Sequence, residues 1–433
     1  MANQSNCSSF RAVVESSTKK NSYESGKEIG EKILEKMSDK SPNLILLFCT
    51  IDYKDYGGLE KILDGIYSII NKETKLAGGT VPGFINQKGC YASGVTALAI
   101  YHEHMNISIG TGKNTKRNPK KAAKKAINQI KSNLTNQYEN KIIFSIISGP
   151  KNPNLPGVKN KNIINSKIKS RIVLSMFSFM QKVFQKGFGR ERELIEEIIR
   201  ELPDFYLIHT TSYSKPPYNE NYQFHNKKVL DEQAVIVAIE TDIKFNLNFA
   251  TGAEKTDKKL NLTSLNKGKT VIKKINRKPP LEEYIKKMGL TNQEFEEMKW
   301  TYINTKHPFG YIKNNKTILR PPLLILGNYM GLLTKIEEEK NIFIADITPE
   351  KMISATDEVL TIEKPLFGFF TSCIARRDLL GIKVFKIQEK MKDYFKDRNF
   401  LLVYSASEGL YKPDDDFYFL NETITSAIFR EKS

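Results

Sequence analysis

"TKKNSYESGKEIGEKI", Thr18 to Ile33, aligns without a gap to "TKRNPKKAAKKAINQI", Thr115 to Ile130, and this internal repeat decides the fold. The register runs on into "LILLF" at Leu44 and "KIIFS" at Lys141, so each copy reads strand, polar turn, helix, strand. In the second copy Asn118 and Pro119 stand where an N-cap and a first helical residue belong. Ala123, Ile127, Ile130 and Leu134 then recur at helical spacing, which leaves Lys120, Lys121, Lys124 and Lys125 toward water.

The repeat continues outward. After the first "LILLF", Leu59, Ile62, Leu63, Ile66 and Ile70 mark the buried stripe of a further helix. "LAGGTVPGF" then leads to "GVTALAIYHEHMNISIGTG", as "LIHTTSYSKP" later leads to "EQAVIVAIETDIKFNLNFATG". Each copy ends as two strands joined by a tight turn, around Glu103 to Met105 and around Thr241 and Asp242. A third, partial copy closes the chain: "PLFGFFTSCIARR", a helix with Val384, Ile387, Met391 and Phe395 on one face, then "NFLLVYSASEGLYKPDDDFYFLNETITSAIF". The expected fold class is α/β, with duplicated strand–helix–strand plus hairpin modules forming layered mixed sheets flanked by helices, and a related C-terminal α/β domain. The expected boundaries are 10–275 and 276–433. Residues 149–186 are an insertion, read as a mobile loop followed by a buried or interfacial helix over Arg171 to Phe184. Residues 273–300 read as two short helices leading to "HPFGYI" at His307.

A chain of 433 residues buries a large core, and 40% hydrophobic with 27% charged residues describes an ordinary water-soluble protein. The net charge of +18 comes from 67 basic against 49 acidic residues, mostly lysines spread along the chain. That spread reads as a solvated surface, so nucleic acid is not the expected partner. Cys7, Cys49, Cys90 and Cys373 are too scattered for a metal or redox pair or a disulfide framework, which points to the cytoplasm. The start lacks the apolar run of a signal peptide, and no segment reads as transmembrane.

The order and spacing of "LILLFCT", "LAGGTVPGF", "GVTALAIY" and "AVIVAIETDIKFNLNFATG", followed by "HPFGYI", "SCIARR", "YSASEGLY" and "FLNETIT", resemble the FIST family over nearly the whole chain. The resemblance implies a FIST N-terminal domain followed by a FIST C-terminal domain. It implies a sensory module for small ligands, with amino acids proposed as ligands and haem bound by some members, working through a signalling protein. The chain has no length left for a fused output module, so it reads as a stand-alone sensor. Two places depart from the family pattern: Ser407 precedes Glu408 where Gly is usual, and "HTTSYS" from His209 stands where the first copy has paired glycines.

The candidate ligand site gathers at strand exits. Ser372, Cys373, Arg376 and Arg377 follow one apolar strand, and Ser405, Ser407 and Glu408 follow the strand after the next helix. If those strands are neighbours, both exits share one sheet edge. A guanidinium fork facing a carboxyl group, with hydroxyls beside it, suits an amino acid, and the same residues equally suit a structural ion pair. Asn421 and Thr423 are candidates for a polar wall, and Gly78, Gly79 and Thr80 for a place of close approach by a ligand or another backbone. Two arginines beside Cys373 would depress its pKa and arm it as a nucleophile, but no base is in view and no enzyme activity is expected. His102 and His104, two residues apart, face the same way if extended and invite a haem reading, but no third ligand is evident and no cofactor or metal is expected. "GTGKNT" at Gly110 fails the phosphate-loop pattern.

Overall fold

The computed structural model describes residues 10–430 apart from 39, 152–162, 165, 186–189, 215–219 and 298. Three units share one plan. The first is β1 (Arg11–Ser17), α1 (Ser22–Lys36), β2 (Leu44–Cys49), α2 (Leu59–Tyr67), β3 (Lys75–Thr80), a hairpin of β4 (Phe84–Asn86) and β5 (Gly89–Tyr91), and β6 (Val95–Tyr101). The second begins with β7 (Met105–Lys113), α3 (Pro119–Lys131) and β8 (Asn140–Ser148), and inserts β9 (Ile163–Ile164) and α4 (Lys167–Phe184). It ends with α5 (Glu191–Glu201), β10 (Tyr206–Ser212), the hairpin β11 (Tyr222–His225) and β12 (Lys228–Asp231), and β13 (Gln233–Thr241).

The third unit opens with β14 (Lys244–Ala250) and is then interrupted. The insertion holds β15 (Ala253–Leu260), β16 (Leu262–Leu265), β17 (Val271–Ile275), α6 (Pro280–Met288), α7 (Asn292–Glu297) and α8 (Trp300–Lys306). It continues through β18 (Phe309–Lys313), β19 (Lys316–Arg320), β20 (Pro322–Leu326), β21 (Tyr329–Leu332) and β22 (Ile342–Ile347). The unit resumes at α9 (Pro349–Val359), β23 (Pro365–Cys373), α10 (Ile374–Leu380), α11 (Val384–Phe395) and β24 (Asn399–Ser405). The hairpin β25 (Glu408–Tyr411) and β26 (Phe417–Leu420) follows, and β27 (Ile424–Arg430) closes the unit. The repeat is thus threefold, and residue 275 falls inside the insertion of the third unit.

Each unit lays its own strands in the order first, last, second, third: β1-β6-β2-β3, β7-β13-β8-β10 and β14-β27-β23-β24. The hairpins do not stay at home. β11-β12 of the second unit extends the sheet of the first, β25-β26 of the third extends the second, and β4-β5 of the first extends the third. The three exchanges close a ring, and each covers a third-strand edge that would otherwise be open to pairing. The strands flanking the tight turns at Glu103 and Asp242 do not pair with each other: β6 pairs β1 and β2, whereas β7 pairs β13. Those turns are crossings from one sheet to the next.

The apolar runs reflect burial on both faces. Inward, Phe48, Phe144, Phe369 and Phe429 of the three sheets meet in one core, with Phe48 and Phe369 ring centroids 5.9 Å apart and Phe144 and Phe369 5.4 Å apart. Outward, α1 and α2 cover the first sheet, α3 and α5 the second, and α9 and α11 the third. The stripes expected on α2, α3 and α11 face those sheets, and Lys120, Lys121, Lys124 and Lys125 are exposed. Gly110 and Gly112 are not phosphate-loop glycines: a Cβ on either would lie 2.0 Å from an α3 carbonyl, so they let the helix rest directly on β7. On α4 Val173 is buried while Ile168, Ile172 and Phe179 are exposed, which corrects the buried alternative in favour of a surface helix. The loop expected before it falls largely on 152–162, outside the described residues.

Candidate functional site

β23 and β24 are parallel neighbours with Cys373 opposite Ser405, and β27 lies antiparallel on the other side of β23 with Ser372 opposite Ile424. β25 turns back onto β10, placing Glu408 opposite Thr210. The structure therefore brings Ser372, Cys373, Ser405, Ser407, Glu408, Asn421 and Thr423 to one end of the strands, all buried.

Hydroxyls ring the carboxyl group of Glu408. Ser405 Oγ is 2.8 Å from Glu408 Oε1, and Thr423 Oγ1 donates to Oε2 at 3.1 Å. Thr371 Oγ1 links the cluster to Thr210 Oγ1 at 3.1 Å and to Ser405 Oγ at 3.3 Å. Burial raises Glu408 to about 8, against the pull of these hydroxyls and the Arg376 charge. Burial and the neighbouring Glu408 also raise Glu422. One of the two departures from the family pattern, "HTTSYS", finds a reason here, whereas nothing in the structure explains Ser407. Thr211 Oγ1 accepts the N–H groups of Ala406 at 3.0 Å and Ser407 at 3.2 Å, so a hydroxyl is needed where a glycine has none to offer. His209 is buried with Nδ1 3.2 Å from the Ser145 carbonyl, and desolvation lowers it to about 3.

Arg376 is buried beside this cluster but donates elsewhere, from Nη1 to Thr251 O at 2.6 Å and from Nη2 to Met352 O at 2.9 Å. It acts on Glu408 and Glu422 by charge, and the expected fork-to-carboxylate pair is replaced by a fork to two carbonyls. Arg377 turns away: it donates to Pro82 O and lies over the Tyr404 ring, 5.4 Å from its centroid. Cys373 is not an activated thiol, because burial and the carboxyl groups of Glu408 and Glu422 push it well above its ordinary value. Gly78 and Gly79 sit on β3 in another sheet, where backbone approaches backbone: a Cβ would meet Leu47 O at 1.7 Å or Tyr222 O at 2.7 Å. Thr80 Oγ1 accepts the Tyr222 N–H at 3.0 Å.

The same corner recurs in the other units. Cys49, Ser148 and Cys373 end their strands opposite Val95, Gln233 and Thr423, so Gly94, Glu232 and Glu422 are equivalent, and all three have positive φ. In the second unit the acid is answered from within the chain: the buried Lys116 ammonium is 2.8 Å from Glu232 Oε2 and 3.3 Å from Ser148 Oγ. Lys151 meets Glu232 Oε1 at 2.8 Å. Lys116 stands two residues beyond Asn114, whose equivalent by register is Gly252, and two beyond Gly252 stands Glu254 on β15. Among the described residues the third corner thus has two acids and no internal ammonium. Glu422 Oε2, both amide atoms of Asn421 and Ser407 Oγ are buried without a hydrogen-bond partner. A crevice of about 20 Å³ reaches Ser407 between Glu191, Arg192, Thr334 and Phe419, and burial raises Glu191 there to about 7.

At the opposite end of the strands, His102 and His104 share a partner that the sequence hid. Asp242 Oδ1 is 2.7 Å from His102 Nε2 and Oδ2 is 3.0 Å from His104 Nδ1. The available signal was the repeat itself, since His102–His104 and Asp242 occupy corresponding turns of the first two copies.

The chain belongs to the FIST family: the FIST N domain matches residues 43–278, and the family is one of sensory, ligand-binding modules. None of the curated proteins matches. Among solved structures, one described as "Cyanuric acid hydrolase: evolutionary innovation by structural concatenation" is 7% identical at a TM-score of 0.26, over 56% of this chain and 72% of that one. A cyanuric acid hydrolase from A. caulinodans is 4% identical at a TM-score of 0.34, over 98% of this chain and 100% of that one. PurLQS from Thermotoga maritima is 10% identical at a TM-score of 0.21, over 98% of this chain and 73% of that one. The expectation of no enzyme activity is corrected by these likenesses to hydrolases, and at such TM-scores they assign no activity to this chain. Among the described residues no helix is long and apolar enough to cross a membrane.

Proposed function

We propose that this FIST protein senses a small polar ligand carrying an amine, such as an amino acid, at the corner of the third unit, and passes the signal to a partner protein in the cytoplasm. Residues 276–433 are taken as the family's C-terminal domain. The observation that carries the reading is the missing ammonium. Glu232 holds Lys116 at 2.8 Å, whereas its equivalent Glu422 keeps an oxygen without a partner beside the unpartnered amide of Asn421. A ligand ammonium at Glu422 and Glu408 supplies that charge and lowers the pKa of a carboxyl group that burial keeps neutral, so that its proton is released to solvent. Ser372, Ser405, Ser407, Asn421 and Thr423 line the ligand's polar side, and Arg376 offers its charge to the carboxylate end. Arg377 and Cys373 support the walls, while Gly78, Gly79 and Thr80 of β3 hold the hairpin β11-β12 of the second unit. The crevice at Ser407 has room for about one water, so ligand entry moves the hairpin β25-β26 that ties the third unit to the second. That displacement is the signal.

Thermal-shift screening against amino acids, amines and small carboxylates at pH 8.5 tests this. Amine-bearing ligands are expected to raise the melting temperature of the wild type and not of Asn421→Leu. Leu fills the same space without an unpaired amide, and it is expected to stabilise the free protein by about 1–3 kcal/mol. No shift from any amine in the panel, or an equal shift in Asn421→Leu, would overturn the reading.

A further inference from the structure

We propose that His102, His104 and Asp242 form a three-ligand site for a late first-row divalent cation, with Zn²⁺ as the reference ion, where the two turns between sheets meet. The candidate ligand atoms of the three residues all lie within 4.8 Å of one another. Two imidazole nitrogens and one carboxylate are a donor set for Zn²⁺, Ni²⁺, Co²⁺ or Fe²⁺, and a poor one for Mg²⁺ or Ca²⁺, which take oxygen ligands. Three protein ligands leave coordination positions for water or a small molecule.

The geometry is held in place from both units. The His102 N–H donates to Asn43 Oδ1 at 2.7 Å, and the Thr241 hydroxyl donates to the His104 carbonyl at 3.1 Å. The His102 ring is packed edge-on against Phe10, with centroids 5.8 Å apart, whereas His104 is 61% exposed at the side chain and leaves solvent a path to the site. A cleft of about 300 Å³ opens alongside, lined by Asn43, Lys75, Met105 and Asn106 among others, so the residue that holds His102 also walls a polar cavity. Without metal the carboxylate holds both rings by hydrogen bonds of 2.7 and 3.0 Å, and a cation at 2.0–2.2 Å from each donor needs these contacts to open only slightly. Ligation at Nε2 moves the His102 ring proton to Nδ1, which is buried without a partner. That cost makes the site weaker than closed structural zinc sites.

Full-length protein stripped with chelator and titrated with Zn²⁺ by calorimetry tests the proposal, with Co²⁺ absorption reporting the coordination sphere. The expected result is one Zn²⁺ per chain, with a Co²⁺ spectrum of mixed nitrogen and oxygen ligation. His104→Ala, at an exposed side chain, and Asp242→Asn are each expected to weaken binding at least about tenfold. Equimolar Zn²⁺ is expected to raise the melting temperature of the wild type alone. The proposal is overturned by no Zn²⁺ binding, by binding unchanged in both variants, or by Mg²⁺ binding as tightly as Zn²⁺. It is independent of the amine corner, and an amine-induced shift in His104→Ala would leave that corner standing whatever the metal result.

Discussion

The corners of the second and third units are built on one backbone plan and answer the same electrostatic problem in opposite ways. Both place a glutamate with positive φ just ahead of the last strand, Glu232 and Glu422, and both bury it. The second supplies a cation from its own chain, Lys116, at 2.8 Å. The third diverts its chain at Gly252 into the long insertion, and its buried Arg376 hydrogen-bonds to the carbonyls of Thr251 and Met352. The lesson is that a repeated fold can keep a charged position while removing its partner, and the orphaned position is where a ligand has something to gain.

Breaking the paired corner should cost most. Lys116→Met leaves Glu232 buried with one of its two cations gone, and Glu191 without the charge that lowers its pKa. A loss of about 3–5 kcal/mol in urea unfolding is expected, with part regained in the double variant with Glu232→Gln. An unchanged midpoint would show that the pair does not matter.

The unpaired corner should show itself through pH. Glu408 and Glu191 keep their protons in the folded state up to about 8 and about 7, whereas in the unfolded chain they lose them near the ordinary carboxyl value of 4.5. Stability from these groups is therefore full below about pH 4.5 and falls as pH rises through 7 to 8. At about 1.4 kcal/mol per pKa unit the fall is at most roughly 8 kcal/mol, more than half of it from Glu408. Glu408→Gln should remove the larger share of it, including all of the fall above about pH 7. A wild-type stability that rises from pH 5 to pH 8 would contradict the burial argument.

Smaller effects sharpen the comparison. Thr211→Val removes the acceptor for the Ala406 and Ser407 N–H groups, and should cost about 1–3 kcal/mol by chemical denaturation. Glu422→Gln should stabilise the free protein by about 1 kcal/mol, because a neutral amide replaces a group that burial disfavours as an anion. The same change should abolish the amine-induced shift, and a retained shift would move the ammonium to Glu408 alone.

Much of this was legible in the chain. The ungapped match of Thr18–Ile33 to Thr115–Ile130 gives α1 and α3, and the apolar runs give β2, β8 and β23. The adjacency of the Cys373 and Ser405 strand ends follows from the helix between them. The direction of Arg376 was not legible, since its carbonyl partners lie 125 and 24 residues away and lack any side-chain signature. Nor was the aspartate that joins the histidine pair, because Asp242 lies 140 residues from His102 and meets it only when two turns between sheets converge.

By itself the sequence determined the repeated strand–helix–strand segments and the polar character of the strand ends, but not where each unit begins and ends. Those are local properties, fixed by periodicity and turn chemistry within a few tens of residues. The tertiary structure alone decided that each hairpin extends a neighbouring unit's sheet, that Lys116 fills one corner while the equivalent one has no internal ammonium, and that two histidines meet an aspartate. These outcomes depend on which open sheet edge a hairpin covers and on how three sheets close around one core, a choice made by global packing that no local pattern records.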